Sequence, residues 1–185
     1  MKKLFLFFCF LCLLSCSSDG GSSSGNDSGN LTFNGINYPF DKIYVLQDEA
    51  SGYQIAIAKG EMTFDLTIPN TTQVTYSSDF KRLLYFLVRT KSSSLNSGTY
   101  VFPIIPVENQ NIYQNKIFFR DDYQIENGDD TSFNTIFNDI DNTSTQSRVV
   151  ITKSENDKYT FDFNVITTAG TLTGTYTGTI IKVNY

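Results

Sequence analysis

The side chains best equipped for chemistry in this chain are carboxylates. Asp121, Asp122, Glu126, Asp129, Asp130, Asp139 and Asp141 crowd into one stretch, and Ca²⁺ takes oxygen ligands of that kind. Asp139-Ile140-Asp141-Asn142 starts like a calcium-loop D-x-D pattern, but positions six and twelve hold Ser144 and Val150 instead of Gly and Glu. The plainer expectation for 121–141 is a solvated acidic loop that aids solubility. Two carboxylates could also hydrolyse a glycosidic bond, yet the linear order singles out no pair. Ser78-Asp79-Phe80-Lys81 matches S-x-x-K, and Gly21-Ser22-Ser23-Ser24-Gly25 matches G-x-S-x-G. The first string needs a helix after its Ser and companion S-D-N and K-T-G motifs; the second needs a strand-to-helix turn and a His. The chain contains no His, so neither a Ser-His-Asp nor a Cys-His nucleophile can be assembled. No catalytic residue, cofactor site or metal ligand is therefore assigned. With 14 basic against 19 acidic residues, no basic surface for nucleic acid is expected either.

Cysteine carries the clearest signal. Met1-Lys2-Lys3 precedes the eleven apolar residues Leu4–Leu14, a run too short for a membrane-spanning helix of about 20 residues. A basic start followed by such a stretch reads as a secretory signal peptide. Cys9 and Cys12 form a C-x-x-C string inside it, with no βαβ context to give it redox meaning. Leu13-Leu14-Ser15-Cys16 then resembles the bacterial lipobox. That resemblance implies a diacylglycerol thioether on Cys16, cleavage before it over residues 1–15, and acylation of the new amino group by a chain such as palmitate. Several acyl chains anchor stably where one is marginal. The mature chain would keep 170 residues, a net charge of -7 and no unmodified Cys.

Residues 16–30 follow as the lipidated Cys and a tether. Ser17–Asn30 contains only Ser, Gly, Asn and Asp, so it buries nothing and is expected to be a coil spanning about 20 Å. Cys16-Ser17-Ser18-Asp19 resembles the start of Bacteroidota lipoproteins that carry acidic export signals behind the Cys. The resemblance implies an outer-membrane anchor and leaves its periplasmic or cell-surface face open.

From Leu31 the pattern changes to alternation, and 31–185 is expected to form one antiparallel β domain. Asn34-Gly35 between LTF and INYPF predicts a tight hairpin. Strands are expected over 43–46, 53–58, 62–68 and 74–76. Arg82–Thr90 is apolar on both parities and reads as a central strand. Further strands are expected over 100–102, 112–120, 148–152, 159–167 and 172–183. Only Phe133–Ile140 admits a short helix. The last hairpin is the clearest: Tyr159, Phe161, Phe163 and Val165 share one parity, and Leu172, Tyr176 and Ile180 another that faces inward. Thr171, Thr173, Thr175, Thr177 and Thr179 then face solvent, where a β-branched polar residue suits the pleat. Many short strands with turn signals predict an all-β barrel or sandwich. Its 11 Tyr and many Phe either fill the interior or line a ligand chamber.

The lipobox, the Ser/Gly tether, the opening TFNGINY and the closing KYTFDFNVITTAGTLTGTYTGTI together resemble small Bacteroidota (flavobacterial-type) outer-membrane lipoproteins, some with lipocalin-like barrels. The resemblance implies a membrane-anchored binding module for a small apolar or glycan ligand, or else a structural accessory of an envelope or adhesion complex. It transfers no catalytic residue.

Overall fold

A computed structural model describes residues 28–48, 52–67, 72–90, 92–102, 116–138 and 146–183. The signal peptide, Cys16 and most of the tether lie outside the described residues, as do Asp139, Asp141 and Ser144. Thirteen strands and no helix appear among the described residues. They are β1 (Ser28–Phe33), β2 (Ile36–Phe40), β3 (Lys42–Asp48), β4 (Gly52–Lys59), β5 (Met62–Asp65), β6 (Gln73–Tyr76), β7 (Arg82–Val88), β8 (Gly98–Val101), β9 (Lys116–Glu126), β10 (Asp129–Phe137), β11 (Arg148–Lys153), β12 (Lys158–Ile166) and β13 (Thr171–Val183). β1 thus begins at Ser28, ahead of the expected Leu31.

Eleven strands form one sheet in the order β10-β9-β7-β4-β3-β13-β12-β11-β8, with β1 and β2 branching from β13. β13 is long enough to serve two neighbours along one edge: Leu172–Thr177 pairs with β1 and Ile180–Val183 with β3. The β13–β3 ladder is parallel, so the expectation of a purely antiparallel domain is corrected. Parallel pairing follows from the chain path: β1 runs antiparallel to β13, the Asn34-Gly35 turn reverses the chain into β2, and β3 follows after one residue. Gly174 permits the close passage of β1: its φ is +129°, and a Cβ there would sit 2.3 Å from the Asn30 carbonyl oxygen. No closed ring of hydrogen-bonded strands forms among the described residues.

The sheet folds so that its two sides face each other. Phe86 of β7 meets Phe161 and Phe163 of β12 edge-on, at 5.8 and 5.5 Å between ring centroids. Phe119 of β9 meets Tyr38 and Phe40 of β2, and Phe33 of β1 stacks on Phe137 of β10. Ile55, Ile57, Leu84, Phe86, Phe119 and Phe161 are fully buried. The aromatics fill the interior, and the row Tyr159, Phe161, Phe163 and Val165 lies against Leu172 and Tyr176 as the alternation requires. Arg82–Val88 is central, flanked by β4 and β9. Its even and odd positions serve two different cores. On the outer side, the hairpin of β5 and β6 covers Tyr44, Ala58, Phe80, Leu83 and Tyr123. It is held there by the Met62 N–H donating to the Tyr44 hydroxyl at 3.0 Å.

Two expectations fail between residues 116 and 138. The acidic stretch is not a loop, and Phe133 onward is not helical: β9 and β10 form a hairpin across Asn127-Gly128, with φ of +55° and +90°. Asn-Gly tolerates those angles, and the turn is the same type as Asn34-Gly35, at +51° and +80°. Asp122, at φ +54°, flips the facing of β9. Ile117 and Phe119 point to the interior, but Tyr123 and Ile125 pack in the outer core. A bulge of this kind erases the period-2 signature.

Candidate functional site

The surface opens into a cleft of about 190 Å³ at the end where β13 crosses between the two sides of the sheet. Its floor is Val45 of β3, Ile180 of β13 and Leu95 from the β7–β8 loop; its rim carries Tyr53, Tyr159, Lys153, Asp157 and Lys182. Each wall has a local cause. The β11–β12 turn runs through Asn156 and Asp157, both left-handed at φ +57° and +54°, a conformation Asn and Asp accept more readily than other side chains. Its closure is marked by the Ser154 N–H donating to the Lys158 carbonyl at 2.8 Å. The Ile180 N–H donates to the Asp157 carbonyl at 3.1 Å, tying that turn to β13.

The opposing wall is the Ser-rich segment 92–97, organised by side-chain hydrogen bonds. Asn96 Nδ2 donates to Ser92 Oγ at 2.8 Å, and Ser94 Oγ donates to Asn96 Oδ1 at 2.9 Å. Three tyrosines clamp the loop to the sheet: the hydroxyls of Tyr53, Tyr159 and Tyr100 donate to the carbonyls of Ser92, Leu95 and Asn96 at 3.2, 3.2 and 2.9 Å. Leu95 is thereby pressed into the interior as a buried plug. The Lys153 N–H donates to Ser97 Oγ at 2.8 Å, fixing the end of β11 to the same loop.

Charge at the rim is uneven. Lys182 Nζ donates to Asp157 Oδ2 at 2.7 Å. That contact raises the Lys182 ammonium and lowers the Asp157 carboxyl from their ordinary ranges, Lys153 adding to the second effect. Lys153 Nζ stands 5.8 Å from the centre of the Tyr159 ring, a cation–π arrangement at the outer limit of reach. Two ammonium groups thus face one carboxylate. Burial, with help from neighbouring Tyr159 and Tyr100, raises the Tyr53 phenol, which stays a neutral donor.

The residues singled out by sequence lie elsewhere. Asp121 makes an ion pair with Arg82 Nε at 3.0 Å, and the guanidinium of Arg82 lies 5.3 Å from the centre of the Tyr38 ring. Asp122 accepts from Gln124 and Asn134 within its own hairpin, while Glu126, Asp129 and Asp130 are exposed at the tip. Among the described residues, no three His, Cys, Asp or Glu side chains gather as a metal site. Ser78 sits exposed in the turn between β6 and β7, with no helix after it. In the sequence Tyr159 and Ile180 stand out only as inward-facing strand positions, and the other lining residues, drawn from β3, β4, β11, the β11–β12 turn, β13 and the 92–97 loop, meet only where β13 crosses. The nearest signal was compositional: KSSSLNSG and SENDK are two turn-forming clusters, one of them Ser-rich, with the cleft lysines Lys153 and Lys182 outside both.

No family model matches the chain, no curated protein is similar to it, and no solved structure matches its fold. The class is therefore defined by fold and cleft alone: an all-β domain with one large folded sheet, a filled aromatic interior and a polar cleft at one end.

Proposed function

We propose that this is an outer-membrane lipoprotein, anchored through Cys16, whose β domain is a non-catalytic binding module for a glycan. The fold reads as an open two-layered sandwich in preference to a lipocalin-like barrel, since among the described residues β10 and β8 end the strand path without pairing with each other. The filled interior carries the functional reading. An apolar ligand held lipocalin-fashion needs a chamber between the two halves of the sheet, and among the described residues Phe86, Phe119 and Phe161 pack fully buried there. The end cleft instead offers hydroxyl, amide and ammonium groups around a small apolar floor, the mix that orients a polyhydroxylated ring. At about 190 Å³ it is below the usual range for drug-sized ligands and somewhat above an engineered cavity of about 150 Å³ that admits benzene. One sugar unit at the end of a chain matches that size.

A structural accessory role would call for a contiguous exposed apolar patch. The large exposed apolar side chains among the described residues are Ile36, Val101 and Ile181, on three different strands, and they favour the binding reading. The test is binding of the full chain in detergent to a panel of immobilised oligosaccharides, with Ser93→Trp as a plug of the exposed cleft wall. Binding by the parent that the plug abolishes supports the site. Binding that survives the plug, or no binding to any glycan, contradicts it.

A further inference from the structure

The charge of the cleft narrows its ligand, given the glycan reading above. We infer that the cleft selects an acidic sugar, with a ring carboxylate received between Lys153 and Lys182. The chain as a whole is acidic, at -5, yet this rim carries two ammonium groups, Lys153 and Lys182, and one carboxylate, Asp157. Asp157 is already engaged by Lys182 at 2.7 Å. Lys153 has no carboxylate within 4.0 Å among the described residues, and its Nζ lies over Tyr159 at the cleft wall. An incoming carboxylate completes this arrangement: it accepts from Lys153 and shares Lys182 with Asp157, forming charge-assisted hydrogen bonds that a neutral sugar cannot make. The serine hydroxyls of the 92–97 wall and Gln47 remain for the ring hydroxyls. A bare anion would leave those groups and the apolar floor unused, so the sugar contributes as well as the charge.

Calorimetric titration of the full chain in detergent tests this, using a galacturonate trisaccharide and its fully methyl-esterified form. The two ligands share a sugar and differ in charge. The acid should bind about tenfold more tightly than the ester, the ratio that one good charge-assisted contact gives. Lys153→Gln and Lys182→Gln should each collapse that ratio to below about threefold, the acid losing more affinity than the ester. Asp157→Asn, which frees Lys182, should widen it. Equal affinity for acid and ester in the parent overturns charge selection while the glycan reading stands. Binding of neither ligand overturns both. Inorganic phosphate competing as well as the acid trisaccharide shows a plain anion site and overturns the sugar component.

Discussion

At the residue scale, Tyr176 and Thr175 show how alternation sorts side chains. Tyr176 is fully buried opposite Phe161, and its ring lies against Gly29, where a Cβ would sit 2.5 Å from it. Thr175 is exposed and donates to the Asp162 carboxylate across the ladder. Tyr176→Ala should cost on the order of 3 kcal/mol and Thr175→Lys no more than about half a kcal/mol, measured by chemical denaturation. The greater loss from Thr175→Lys would mean that β13 faces the other way. A second residue-scale effect depends on pH. Burial above all pushes the Tyr123 phenol up to about 12, with Arg120 partly opposing, and burial also raises Tyr44 and Tyr76 in the same outer core. A raised phenol pKa means that the folded state holds its proton more tightly than the unfolded chain does. That contribution to stability is complete below the ordinary tyrosine range and is lost as pH climbs toward 12. Denaturation midpoints should therefore fall steeply in alkali, and Tyr123→Phe should flatten the fall. An unchanged alkaline slope in that variant would remove Tyr123 as its source.

At the element scale, the two Asn-Gly hairpins separate backbone strain from contact. Gly35 and Gly128 both have positive φ, but a Cβ on Gly35 meets nothing within 4 Å, whereas one on Gly128 meets Thr75 Cγ2 at 2.5 Å. Gly35→Ala should cost about 1 kcal/mol from φ alone, and Gly128→Ala about 1 kcal/mol more, because the exposed Thr75 side chain must turn away or the β9–β10 turn must shift. Thermal unfolding of the two variants compares them, and equal costs would show that β6 does not press on the turn. The same pair shows how far the elements were legible. Asn34-Gly35 was flanked by clean alternation and could be read directly. Asn127-Gly128 carried the same turn chemistry but stood among Asp and Glu, which resemble a loop, and the Asp122 bulge scrambled the parity that would have marked β9 as a strand. β12 and β13 were legible because each has one face in one core. β9 was legible only as far as Arg120 and β10 was not, because together they divide their side chains between two.

At the scale of the whole molecule, β13 is the organiser: it joins both sides of the sheet, and its crossing forms the cleft. Nothing local in its sequence marks the switch from β1 to β3 as neighbour, so neither the parallel ladder nor the cleft could be read in advance. β1 starts opposite Thr177, close to the β11–β12 turn and far from the Asn34-Gly35 turn, so the chain reaches the domain from the cleft-bearing pole. Cys16→Ala should shift the protein from the membrane to the soluble fraction; retention with membranes would refute the anchor. Ligand is expected to bind at the end cleft and not among the interior aromatics. Chemical-shift mapping of the full chain in detergent with the galacturonate trisaccharide distinguishes the two. Saturable shifts at Tyr53, Leu95, Lys153, Tyr159 and Lys182, with Phe86 and Phe119 unmoved, are the predicted result. Shifts centred on the interior aromatics or on the β9–β10 hairpin, with the cleft silent, would contradict it.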